Sequence, residues 1–283
     1  MWFAGVYVYL RPTTLEEALE ALYQSRGELL AGGTDFYPSL GERLPAKPIV
    51  DITRVRELKG ITRKPDLFRI GGGATWTELI KAPLPRCFDA LKAAAREIGS
   101  VQIQNRGTLG GNIANASPAG DTLPILLATD ATILVGGQRG EREIPATEFF
   151  TAYRQTALAP DELILHVTFP LPKARELSFR KVGTRRAQAI SKVVLAAAWR
   201  DDGPRGLAEV RVALGSVAAI PIRARATEAV LEGALPIPEV ADRAAETLAN
   251  EIEPIDDVRS TAGYRRTVAA RVLHRLVREA GGW

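Results

Sequence analysis

The N-terminal part of the chain switches between the two-residue period of a strand and the 3.6-residue period of a helix. Residues 6–10 alternate as a strand that Arg11-Pro12 ends. Leu15, Ala18, Leu19 and Leu22 then recur at i, i+3, i+4 and i+7, which predicts a helix with Glu16, Glu17 and Glu20 toward water. The spacing from Thr13 to Glu16 predicts a capping box at its start. Leu29-Leu30-Ala31 and Ile49-Val50-Asp51-Ile52 read as the next strands. The order is β-α-β, and it places Ala31-Gly32-Gly33-Thr34-Asp35 at the C-terminal end of a strand, where α/β units present ligand loops.

A second subdomain is expected from about Leu58. Leu67–Ile70 reads as a strand, Thr75 and Glu78 as a second capping box, and Phe88, Leu91, Ala95 and Ile98 as one face of a helix that Gly99 stops. Apolar runs at 125–128 and 131–135 predict further buried elements. Phe169-Pro170-Leu171-Pro172 predicts an extended link between domains, because its prolines lack amide donors. Strands are expected at 176–182, 191–200 and 207–217. A terminal helix follows over 259–280, with Tyr264, Val268, Val272, Leu276 and Ala280 along one face and Arg265, Arg266, Arg271, Arg275 and Arg278 snorkelling around it.

Composition narrows the function classes. The chain of 283 residues is 46% hydrophobic and 25% charged, enough for two packed domains. The start reads as a strand rather than a signal peptide, and no apolar run approaches the roughly 20 residues of a membrane span, so a soluble cytoplasmic protein is expected. A formal charge of +4 rests on scattered arginines without interleaved aromatics, which argues against nucleic acid as a partner. His166 and His274 stand far apart outside any ligand pattern, and Cys87 is alone, so neither a metal site nor an iron–sulfur cluster is expected in this chain.

The segment Thr108-Leu109-Gly110-Gly111-Asn112-Ile113-Ala114-Asn115-Ala116-Ser117-Pro118-Ala119-Gly120-Asp121 packs small and turn-forming residues where a core would need bulk. Gly110 and Gly111 carry no Cβ, so the chain can take positive φ and its amides can approach an anion, with Asn112, Asn115, Ser117 and Asp121 adding polar capacity. Ala31–Asp35 is a second glycine turn of the same kind. Gly71-Gly72-Gly73 lacks the GxGxxG spacing and reads as a strand exit or tight turn.

Together, AGGTD and TLGGNIANASPAGD resemble the FAD-binding subunit of the molybdenum hydroxylases, the family of xanthine dehydrogenase and aerobic carbon monoxide dehydrogenase, over nearly the whole chain. The resemblance implies an α+β fold: a two-subdomain FAD-binding domain of the PCMH type at 1–169 (subdomains about 1–57 and 58–169), then a smaller α/β C-terminal domain at 172–283 built on a three-stranded sheet with helices. It implies that the loops at Ala31, Gly32, Gly33 and Thr34 and at Thr108, Gly110, Gly111 and Asn112 surround the flavin diphosphate. Asp35 and Asp121 suit hydroxyls or loop amides, since a carboxylate repels phosphate. Ile164, with Leu163 as the alternative, would bring an aliphatic side chain to the flavin, and Lys181 would approach from the second domain, where a cation favours a reduced anionic flavin. Some family members carry a cysteine-rich cluster loop in this subunit, and this sequence does not. Molybdopterin and 2Fe-2S clusters are therefore implied on a large and a small partner subunit, with NAD, oxygen or another terminal acceptor. A self-contained flavin oxidase and a non-catalytic nucleotide-binding module are the competing readings.

Overall fold

The computed structural model describes residues 8–171 and 175–283. It begins with β1 (Tyr9–Leu10), α1 (Leu15–Ser25), β2 (Glu28–Leu30), α2 (Phe36–Leu40) and β3 (Ile49–Asp51), which form a parallel sheet in the order β1-β3-β2. The first strand is shorter than the alternation predicted among the described residues, and residues 6 and 7 lie outside them. The capping box at α1 is displaced by one residue from the Thr13 to Glu16 spacing. Thr14 is the cap, its hydroxyl accepts from the Glu17 amide, and the Glu17 carboxylate accepts from the amides of Thr13 and Thr14. The shift lets one carboxylate serve both threonines, including the Thr13 hydroxyl.

The next stretch contains β4 (Ile61–Arg63), β5 (Leu67–Gly71), α3 (Trp76–Lys81), α4 (Asp89–Glu97), α5 (Val101–Gln104), α6 (Leu109–Asn115) and α7 (Leu123–Ala128). It continues through β6 (Thr132–Gly137), β7 (Gly140–Pro145), α8 (Ala146–Phe149), the small hairpin β8 (Phe150–Ala152) and β9 (Gln155–Thr156), and β10 (Leu163–Pro170). The capping box of Thr75 and Glu78 starts α3 as predicted, and Gly99 follows α4 at φ +55°. The sheet order is β4-β5-β10-β6-β7, with β10 returning from far along the chain to lie antiparallel between β5 and β6. Phe169 and Pro170, expected in an extended link, are strand residues instead. Phe169 is 1% exposed, and Pro170 pairs with Leu67 at the strand's end, where a missing amide donor is tolerated. Pro172 lies outside the described residues.

The C-terminal part contains β11 (Glu176–Val182), β12 (Val193–Asp201), β13 (Leu207–Gly215), β14 (Ile222–Arg223), α9 (Arg225–Leu231), α10 (Pro238–Glu251) and α11 (Ala262–Gly281). Its sheet has four strands rather than the expected three; the addition is the two-residue β14, which pairs with Ala213 and Leu214. Leu195, Ala197, Val212 and Leu214 face a core shared with α10 and α11, while Ala196 and Ala213 join the core of the preceding unit beside α7. Burial on both faces explains why Val193–Trp199 is continuously apolar instead of alternating. Asp130, at φ +53°, ties the same seam by accepting Arg175, Arg211 and Arg223.

The face of α11 is rotated by one residue from the predicted stripe. Arg265, Ala269, Leu273, Leu276 and Val277 are its buried residues, while Tyr264 is 43% exposed. Ala269, Leu273, Leu276 and Val277 recur at i, i+4, i+7 and i+8 and set this face, where Arg265 is satisfied by Asp257 and by the carbonyls of Ser216 and Lys192.

Candidate functional site

A cavity of about 950 Å3 opens between the C-terminal ends of the first strands, the α6–α7 segment and the C-terminal sheet. The loop after β2 forms one wall. Gly33 sits at φ +76°, a conformation that glycine adopts without a Cβ penalty. The carbonyls of Gly33 and Asp35 accept from Tyr37 and Ser39, yet the amides of Gly32, Gly33, Thr34 and Asp35 have no acceptor among the described residues. Such a run of free amides makes an anion-binding concavity. A Cβ on Gly32 would lie 2.0 Å from the Arg106 carbonyl oxygen, so this loop abuts the residues just before Thr108. The two glycine segments, far apart in sequence, therefore share one wall.

The second segment differs from its expected form. Gly110 and Gly111 lie in the first turn of α6 rather than at positive φ, and their amides are committed. Leu109 donates to Ala74 O at 2.9 Å, Gly110 to Gly72 O at 2.8 Å, and Gly111 to the capping Thr108 Oγ1 at 3.0 Å. The reasons for glycine are spatial. A Cβ on Gly110 would lie 2.7 Å from Gly72 O, whereas one on Gly111 would meet only Thr108 Oγ1, at 2.9 Å, and otherwise enter the cavity. Thr108 keeps its own hydroxyl hydrogen to donate. Asn112 Oδ1 accepts from Thr122 at 2.7 Å, and Asn115 Oδ1 accepts from Arg154 at 3.0 Å. Gly72, in the expected turn after β5, also lines the cavity; its absent Cβ leaves room for Ile164 O, which would otherwise be 2.3 Å away.

Asp121 closes the segment. Lys181 Nζ donates to it at 2.7 Å from β11, Ser191 donates a further short hydrogen bond, and Lys181 also reaches Glu97 O at 3.4 Å. Burial pushes the Asp121 carboxyl above the usual range, against the opposing pull of Lys181 and Ser191. Lys181 itself, expected to approach the ligand region, does not line the cavity; its ammonium is held by Asp121, which does. Ile164 and Leu163 both line it from the start of β10, beside a register shift between Ile164 and His166. Ala31, Gly32, Gly33, Thr34, Asp35, Thr108, Gly110, Gly111, Asn112, Asp121 and Ile164 thus share one cavity, and Lys181 adjoins it.

Sequence reasoning missed the wall contributed by the C-terminal part: Ser191, Ser216, Asp257, Arg259 and Arg265. A signal existed in α11, where Arg265 keeps register with Ala269 and Leu273, a charge set in the apolar stripe. His166 is 9% exposed and, driven by burial and by Arg69, has its pKa lowered to about 4. Among the described residues no cluster of side chains could hold a metal ion, and no helix is long and apolar enough to cross a membrane.

Comparison with known proteins agrees with this geometry. The model of the FAD binding domain in molybdopterin dehydrogenase matches residues 3–172, and that of the CO dehydrogenase flavoprotein C-terminal domain matches 178–280. The chain is 33% identical to the xanthine dehydrogenase FAD-binding subunit of Escherichia coli, covering 97% of both chains. It is 30% identical to the nicotinate dehydrogenase FAD-subunit of Eubacterium barkeri, covering 95% of this chain and 94% of the relative. A solved chain of carbon monoxide dehydrogenase from Hydrogenophaga pseudoflava, a form lacking the Mo-pyranopterin moiety, superposes with a TM-score of 0.90 at 29% identity over 97% of this chain and 96% of that one. Since one family model alone spans more than half of the sequence, the chain belongs to the FAD-binding subunits of the molybdopterin-dependent dehydrogenases, a family of oxidoreductases.

Proposed function

We propose that this chain is the electron-transfer flavoprotein of a molybdopterin-dependent hydroxylase complex. A large molybdopterin subunit oxidises the substrate, a small iron–sulfur subunit relays the electrons, and this chain hands them to a terminal acceptor in the cytoplasm. The observation that carries the reading is the run of free amides at Gly32, Gly33, Thr34 and Asp35 in a cavity of about 950 Å3, at the upper end of the range for small-molecule sites. These amides would hold the FAD diphosphate, with hydroxyls from Thr34 and Thr108 beside them. The bare face at Gly111 leaves room for the cofactor, Asp121 would accept from its hydroxyls, and Ile164 would press on the flavin ring. Bound FAD supplies two-electron storage, and the protein supplies binding, orientation and electrostatics. Lys181 acts at one remove, by holding Asp121 in place and opposing the effect of its burial.

The matched ranges 3–172 and 178–280 support a division into an FAD-binding unit at 1–169 and a C-terminal unit at 172–283. The lone Cys87 supports placing the iron–sulfur clusters on a partner. Rapid mixing tests the relay. In the complex assembled with its partner subunits, added substrate should bleach the flavin absorbance, while the isolated chain should oxidise the same substrate hardly at all. Substrate turnover by the isolated chain as fast as by the complex would sink the proposal, as would flavin that stays oxidised while substrate is consumed.

A further inference from the structure

Trp76, the first residue of α3, is 1% exposed, yet it lines the cavity. Its neighbours Thr75, Thr77 and Glu78 all make side-chain hydrogen bonds, whereas its indole nitrogen donates to no group among the described residues. A buried indole N–H ordinarily finds an acceptor. That nitrogen is also not one of the wholly enclosed unpartnered atoms, which are Ser216 Oγ and Arg265 Nε. The small part of Trp76 left open therefore includes Nε1, and it opens where the residue meets the cavity.

The free-amide loop after β2 adjoins that edge. A Cβ on Gly107 would lie 3.2 Å from both Nε1 and Cδ1 of Trp76, and one on Gly32 would lie 2.9 Å from the Gly107 Cα. Gly107 thus stands between the indole edge and Gly32, and all three residues line the cavity. The backbone fixes this arrangement. The Trp76 amide donates to Gly107 O at 3.2 Å, and Thr75 and Thr108 form an isolated bridge alongside. A side chain at 107 would crowd the indole N–H, and glycine keeps it clear.

An indole N–H only donates, so its partner must be an acceptor. On the FAD reading, on which this inference rests, the acceptor group held next to it by the amides of Gly32, Gly33, Thr34 and Asp35 is the diphosphate. We propose that the Trp76 indole N–H is a further donor to the FAD diphosphate, extending the amide loop across Gly107. A bond to an ionised oxygen is stronger than one between neutral groups, which gives a single indole a measurable share of cofactor affinity.

Trp76→Phe keeps an aromatic ring in the core and removes the N–H. Three quantities are read on the full chain: FAD affinity by fluorescence, ADP affinity by competition with FAD, and the Trp76 indole resonance in a proton–nitrogen correlation spectrum of the wild type. That resonance is assigned among the four tryptophans by its loss in Trp76→Phe. Both affinities should fall at least about tenfold in the variant, the loss of one hydrogen bond to a charged group. In the wild type, ADP should move the indole resonance downfield, whereas riboflavin, which carries no phosphate, should leave it in place. The spectrum reads the unsubstituted protein, so the test holds even where the smaller ring destabilises the variant.

A wild-type chain that binds FAD and ADP while its Trp76 resonance stays in place would overturn this proposal and leave the FAD reading intact. So would a resonance that riboflavin moves and ADP does not, or unchanged affinities in folded Trp76→Phe. Failure of the wild-type chain to take up FAD, alone or with its partner subunits, would overturn the parent reading and this one with it.

Discussion

Replacing Lys181 with Met should destabilise the protein through the carboxylate it leaves behind. The Lys181 and Asp121 side chains are 7% and 9% exposed and meet at 2.7 Å, joining β11 to the loop before α7. Removing one member of a buried ion pair costs about 3–5 kcal/mol, because an uncompensated charge remains. The lower end, about 3 kcal/mol, applies to Lys181→Met, since Ser191 still donates to Asp121 and the carboxyl can take up a proton.

Asp121 is already pushed above its unfolded pKa, so the native state binds a proton that the unfolded chain releases. Its unfavourable contribution is relieved as pH falls through the folded value. Loss of Lys181 raises that value further, so the deficit of the variant relative to wild type should shrink on going from neutral pH to about pH 5. Adding Asp121→Asn should recover much of the stability at neutral pH by removing the stranded charge. Urea denaturation of the three proteins at both pH values measures this. A deficit below about 1 kcal/mol, within the range of an exposed pair, would refute the reasoning. So would a deficit that grows in acid, or a double variant no better than the single one.

Gly111→Leu should weaken FAD binding by at least about a hundredfold while costing the apo protein no more than the helix cap, about 0.5–2 kcal/mol, because its Cβ displaces only Thr108 Oγ1 and the rest of the side chain enters the cavity. Unaltered affinity in a fluorescence titration would remove α6 from the cofactor site. His166, with its pKa lowered to about 4, should show no imidazole titration by NMR between about pH 8 and pH 5. It also contributes to acid lability, since its depressed folded value means that the unfolded chain gains the proton as pH falls from about 6.5 toward 4. A resonance titrating near the ordinary histidine value would contradict that burial.

The parts legible in the sequence were those governed by local rules. The stripe of Leu15, Ala18 and Leu22, the cap at Thr75 and the glycine loop after β2 follow from periodicity, hydrogen-bond chemistry and backbone freedom within a few residues. The functions of the second glycine pair were not legible, because Gly110 answers to Gly72, a residue distant along the chain. Placement of β10 between β5 and β6 is likewise a long-range pairing, and it turned Phe169 and Pro170 from an expected linker into a strand. Arg265 was read as a snorkelling surface charge; its register with Ala269 and Leu273 marks the buried face, but the groups that satisfy it there, Asp257 and two carbonyls, are brought to it only by the fold. Lys181 was singled out through resemblance, yet only the packed structure shows that its partner is Asp121.

The central claim is that the cavity joining the two glycine segments holds FAD without a covalent bond, neither segment containing a histidine or cysteine. Equilibrium titration of the full chain with FAD, followed by the change in flavin fluorescence, tests it most directly. The account predicts saturation at one FAD per chain, competition by ADP through the diphosphate loop, and complete release of the flavin on denaturation. No saturable binding, by the chain alone or with its partner subunits, or flavin that remains attached to the denatured chain, would contradict it.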